Sequence, residues 1–326
     1  MKIFKSLVIT ALVSIVAIST TISGKNDTFQ TWAEGDKAYK KVWFGPAPSQ
    51  MKKLKSTVGL PRRVGLISFY VFDTGVHSFN AMAATYGGTY SKEFGLNDAG
   101  ANMFATEFAA RGVPALKKRF EEHGMELLTP LEFLENENQV RAYLDFELPE
   151  SGYQKFAKAI RSWLDKNPSA DGAADGFAMI PTHLWVDPGV LRALDELRVT
   201  LGLDALAVVS NLTTSNPKTV RFAGAALAIF GPNPEPKPEK FAKYWTPSLQ
   251  YVVGTFGKGF KGLDFAYWAK KSKGKTSSVT NPINGTTTTY SGNSIESAEY
   301  DGYGGVIDAL ARRTLEELKA RYDKGK

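Results

Sequence analysis

Val64-Gly65-Leu66-Ile67-Ser68-Phe69-Tyr70-Val71-Phe72 is the stretch on which the fold turns. It is nearly all apolar, rich in β-branched and aromatic residues, and closed by Asp73-Thr74-Gly75. A short apolar run between turn signals reads as a strand buried on both faces, at the centre of a sheet. Two more apolar runs read the same way: Asp204 to Ser210, and Thr219 to Phe230, which Gly231-Pro232-Asn233-Pro234 ends.

Amphipathic segments alternate with these strands. Asn97 or Asp98 caps a helix reaching residue 122 or so, with Met103, Phe104, Phe108, Val113, Leu116 and Phe120 at helical spacing. Gly112-Val113-Pro114 either kinks that helix or splits it in two. His123-Gly124 ends it, and Met125-Glu126-Leu127-Leu128 is a short strand. Residues 131–144 read as a second helix carrying Leu131, Phe133, Leu134, Val140 and Leu144, and 151–166 as a third. Asn167 to Gly176 reads as a loop and Phe177 to Pro181 as a short strand. Asp187-Pro188 opens a helix through Leu201, and Gly305 to Tyr322 is a final amphipathic helix. The class is α/β: a single domain with a mixed central sheet covered by amphipathic helices. It spans residues 64–326, with a β-rich insertion at 235–303 before the C-terminal helix. Within the insertion, Leu249 to Phe256 and Leu263 to Trp268 are expected to pair as a hairpin. The threonine run at 286–289 is either an exposed strand or a loop.

The start of the chain has a different character. Lys2 and Lys5 precede an apolar run from Leu7 to Ile18, followed by Ser19, Thr20, Thr21, Ser23 and Gly24. Basic residues, a short apolar run and then small residues are the parts of a secretory signal peptide, expected over residues 1–23. The run falls short of the roughly 20 apolar residues that a bilayer span requires. Cleavage after Ser23 is expected, with Ser19 as the alternative. Residues 24–63 read as an irregular mature N-terminus, punctuated by Gly45-Pro46-Ala47-Pro48, with Trp32, Tyr39, Trp43 and Phe44 packing it onto the body. The expected location is the periplasm or another exported compartment, with no membrane span left after cleavage.

Composition narrows the function classes. The chain has no cysteine, which excludes disulfides, thiolate metal sites and a lipidated cysteine. Its formal charge is +7, or +5 once Lys2 and Lys5 are removed, with the basic residues spread along the chain. Nucleic acid does not fit an exported chain without an aromatic–basic platform. The histidines are His77, His123 and His183, without metal-motif spacing, and no metal or cofactor is expected. No GxSxG elbow, phosphate loop or GxGxxG fingerprint occurs.

Two groups of residues remain as candidate binding positions. Asp73 and His77 follow the first strand, and ligands in open α/β sheets approach beyond the carboxyl ends of strands; the plainer reading is a turn aspartate and a surface histidine. Trp245, Tyr251, Phe260, Tyr267 and Trp268 belong to an aromatic stretch at 241–268 that Lys258, Lys261, Lys270 and Lys271 punctuate or follow. Aromatics beside basic residues suit an interface, and they equally suit anchoring of the insertion to the core.

The order of elements resembles a known family. The strand ending at Asp73-Thr74-Gly75 leads to a long helix, then Gly124-Met125-Glu126-Leu127-Leu128-Thr129 and a helix containing Glu135. Leu201-Gly202-Leu203-Asp204-Ala205-Leu206-Ala207-Val208-Val209 then precedes a strand pair and the last helix. This is similar to the periplasmic α/β domain of the curli-secretion-channel family and related cell-envelope assembly lipoproteins, over 64–144, 190–230 and the C-terminal helix. The chain departs from them in lacking the lipidated cysteine and alternating segments long enough for membrane-spanning hairpins. The resemblance implies an exported, non-catalytic cell-envelope protein acting through protein or polysaccharide contacts, in envelope assembly or secretion. A periplasmic small-molecule or glycan-binding module and an exported hydrolase remain the alternatives.

Overall fold

The computed structural model describes residues 28–34, 60–73, 96, 98–149, 170–182, 188–215, 218–232, 249–252, 263–268, 277–280, 287–290 and 295–325. The expected signal peptide and the expected helix at 151–166 lie outside these residues.

A mixed sheet forms the centre. Its strands are β1 (Arg63–Asp73), β2 (Glu126–Leu128), β3 (Ala170–Ala173), β4 (Ala205–Ser215), β5 (Thr219–Phe230), β6 (Leu249–Val252), β7 (Leu263–Trp268) and β10 (Ile295–Ala298). The order across it is β10-β7-β5-β4-β1-β2. β1 runs parallel to β2 and β4, and the other pairings are antiparallel. A separate ribbon pairs β8 (Ser277–Thr280) with β9 (Thr287–Tyr290). The fold is the expected α/β sheet with β1 buried on both faces.

The helices are α1 (Phe29–Glu34), α2 (Asp98–Glu122), α3 (Pro130–Phe133), α4 (Glu137–Leu144), α5 (Pro188–Thr200) and α6 (Tyr303–Gly325). One core, between the sheet and α1, α2 and α6, is built on Phe69, Phe104, Phe108, Phe222, Phe265 and Tyr303. A second core lies on the other face against α3, α4 and α5, with Ile67, Phe133, Leu194, Leu197, Leu206 and Val208. α2 is one helix with Pro114 inside it, not two.

Several expectations are corrected. The stretch 131–144 is two helices, because the Asn136 side chain accepts from Gln139 N at 3.0 Å and starts α4 afresh. α4 buries Gln139 and Tyr143 and exposes Val140 and Leu144, the reverse of the apolar stripe read from the sequence. Leu249–Val252 and Leu263–Trp268 do not pair with each other: β5 is long enough to take β7 along Thr219–Phe222 and β6 along Gly224–Leu227. The expected loop at 167–176 contains β3, with Phe72 opposite Asp171. Gly172 permits that strand to lie under α2, since a Cβ there would stand 2.2 Å from Asn102 N. Residues 177–181 are irregular rather than a strand, held by hydrogen bonds to the side chains of Ser68 and Tyr143. The stretch 24–63, expected to be irregular, contains α1, which Phe29 and Trp32 sink into the aromatic core.

Candidate functional site at the carboxyl end of the parallel strands

β1 and β4 end side by side, with Asp73 opposite Thr213. β5 runs the other way and β7 returns in the direction of β4, so Thr219 at the start of β5 and Tyr267 near the end of β7 sit at this same end. On β4, Ala205, Ala207 and Val209 continue the aromatic core, and the same face then turns polar with Asn211, Thr213 and Ser215, all buried. The period of two places these three side chains on one face of the sheet.

Asp73 is fully buried. Its Oδ1 accepts from Ser215 N at 3.0 Å, and its Oδ2 accepts from Ser215 Oγ at 2.6 Å and Leu96 N at 3.0 Å. A buried carboxylate needs such donors to offset the loss of water. The bonds tie the end of β1 to the end of β4 and to the approach of α2. Two residues along β4 from Thr213, Asn211 Nδ2 donates to Tyr70 O at 3.1 Å and Asn211 Oδ1 accepts from Tyr303 OH at 2.5 Å. Burial pushes the Tyr303 hydroxyl well above the usual tyrosine range, against the opposing pull of the Asn211 bond. On the opposite face Tyr70 is raised too, first by burial, with its hydroxyl bonded to the Ser210 side chain and the Thr182 backbone and Asp171 nearby.

Chemically, this is a lock. The carboxylate accepts from at least three donors, and both tyrosines stay protonated at ordinary pH. Their bonds fix where the chain leaves the sheet. Among the described residues, no three His, Asp or Glu side chains gather in a geometry fit for a metal ion, and no helix is long and apolar enough to cross a membrane.

Of the candidate residues, Asp73 on β1 and Tyr267 and Trp268 on β7 lie at this same end of the sheet, with β5 and β4 between them. Tyr267 lies opposite Thr219 and is half-buried; Trp268 lies opposite Ile295 and is buried in the aromatic core. Tyr251 lies on β6, its backbone opposite Ala225. His77, Trp245 and Phe260 lie outside the described residues. Sequence reasoning missed Asn211, Ser215 and Tyr303. The period-two run of Asn211, Thr213 and Ser215 was a usable signal for the first two, because it continues an apolar strand. The chain matches no family model, no curated protein and no solved structure, so the likeness to the curli-secretion-channel family rests on sequence pattern alone.

Proposed function

We propose that this is an exported, non-catalytic cell-envelope protein that acts by contact with an envelope protein or polysaccharide. Its contact surface is built on the end of the sheet that holds Asp73, Tyr267 and Trp268. The observation that carries this reading is convergence: candidates from two distant parts of the sequence, Asp73 and the adjacent Tyr267 and Trp268, share one end of the sheet. The buried Asp73 carboxylate, bonded to Ser215 and Leu96, supports a positioning role over a reactive one. Export is supported by the lysine-flanked apolar run at residues 2–18.

The test places a photo-crosslinking residue at Tyr267 in the full chain expressed in its own cells. The expected result is a mature protein beginning between residues 20 and 25, crosslinked to an envelope protein or polysaccharide. A chain that keeps Met1, or one that is exported and crosslinks to nothing at this position, would overturn the proposal.

A further inference from the structure

Phe29 and Trp32 are each 1% exposed, and the rings around them come from distant parts of the chain. The Phe29 ring centroid lies 5.2 Å from that of Phe222, 5.5 Å from Tyr303, and 6.0 Å from both Phe108 and Phe265. Trp32 adds a tilted contact with Phe222 at 5.8 Å. The backbone also fits closely. Gly302 has φ +81°, and a Cβ there would stand 2.3 Å from Gln30 N. A socket walled by α2, α6, β5 and β7 thus receives one short segment.

The segment has little order of its own. α1 has six residues, far fewer than an isolated helix needs to persist in water. Thr28 supplies a cap, its Oγ1 accepting from Thr31 N at 3.2 Å, and the remaining order comes from the socket. The fit is also incomplete. Trp32 Nε1 is buried and finds no acceptor among the described residues, a cost that bound water would otherwise relieve. Between α1 and the described chain that begins at Leu60 lie residues 35–59, whose fully extended length is at most roughly 90 Å. That length of chain is enough for the segment to reach either its own socket or that of a second copy.

We propose that this socket is a peptide-docking site for a Phe-x-x-Trp helix, filled by the chain's own residues 29–34 and open to the same segment of a second copy. The proposal is independent of export and of the contact surface above. An aromatic pair three residues apart presents both rings on one face of a helix, which is the form a hydrophobic groove reads. Exchange of an identical element between copies needs no new interface chemistry.

The test uses the chain from residue 24 onward, with a protease site placed between residues 40 and 55 and cut after folding. The probe is a labelled synthetic peptide of residues 26–36. The cut N-terminal piece is expected to stay bound through size-exclusion chromatography. The labelled peptide is expected to replace it saturably at one per chain, and a peptide carrying Phe29→Ala and Trp32→Ala to bind at least ~10-fold more weakly. Three results would each overturn the proposal: unfolding of the cut chain, which would make α1 an inseparable part of the core; no exchange with a folded cut chain; or equal binding of the double-alanine peptide.

Discussion

The two faces of the sheet are held in different ways. On the face of α1, α2 and α6, rings meet rings: Phe108 stacks on Tyr303 at 4.2 Å and 15°, and edge contacts link Phe104 to Phe265 and Phe108 to Phe222. On the face of α3, α4 and α5, aliphatic side chains dominate and the specificity is polar. Tyr143 OH donates to Ile67 O at 2.8 Å and accepts from Ala178 N at 2.7 Å, while Ser68 Oγ donates to Ala178 O and accepts from Ile180 N. Gln139 Nε2 donates to Leu201 O, and its Oε1 accepts from Glu135 N. The difference follows from what each face must hold. Helices satisfy their own backbone, so few polar contacts such as Arg119–Asp308 and Tyr303–Asn211 are needed on the first face, whereas the irregular backbone at 174–182 draws on side chains for its amides and carbonyls.

The largest expected effect lies on the aromatic face. Phe108→Ala removes a ring that touches Phe29, Phe104, Phe222, Phe265, Tyr300 and Tyr303. It should cost about 3–5 kcal/mol in urea unfolding, with the loss spread over the whole domain. A cost below about 1 kcal/mol would mean that the rings are not the cement of that face.

Tyr143→Phe should do less and act locally. It strands Ile67 O and Ala178 N, for about 1–3 kcal/mol, and hydrogen exchange should speed up at Ala178 before it does in β1. The same residue predicts a pH dependence. Burial pushes the Tyr143 hydroxyl up to about 12, against the pull of the Ala178 bond. A folded value above the unfolded one of about 10 adds stability that is complete below pH 10 and lost as the pH climbs through 12. Tyr300, raised to about 12 mainly by burial, contributes in the same sense. The wild-type chain should therefore weaken between pH 10 and 12, and Tyr143→Phe should flatten part of that fall. An unchanged slope in the variant would remove Tyr143 from the account.

The smallest effect is expected on the outer side of α4. Leu144 is 67% exposed, so Leu144→Ser should shift stability by no more than about 0.5 kcal/mol. A loss of 2 kcal/mol or more would show that something covers this helix in solution.

The elements legible in the sequence were those with a long, unambiguous period. β1, β5, α2, α5 and α6 carry apolar patterns that match their burial apart from Met103 on α2 and Val199 on α5, which are exposed, and the α/β class followed from their alternation. α4 was legible as a helix but not in its orientation. Val140 and Leu144 are apolar and exposed, whereas Gln139 is polar and buried because Leu201 O, 62 residues away, takes its amide. β3 was hidden because Ala170-Asp171-Gly172-Ala173 has loop composition, and the nearness of α2 that demands Gly172 is a tertiary fact. The site was half legible. Asp73 announced itself as an acid at the end of a strand, but its partner Ser215 lies 142 residues on, and nothing local couples the two.

That distance has a kinetic consequence. Asp73 waits for Ser215, Arg119 grips Asp308 across 189 residues, and Tyr303 must arrive before Asn211 is satisfied from 92 residues away. A topology dominated by such non-local closures folds slowly, because each loop must be closed before its contacts repay the lost entropy. As the chain is synthesised from its N-terminus, Phe29 emerges early and finds no Tyr303 to pack against until nearly the whole polypeptide exists. The aromatic core thus lacks one of its walls until the last helix has been made.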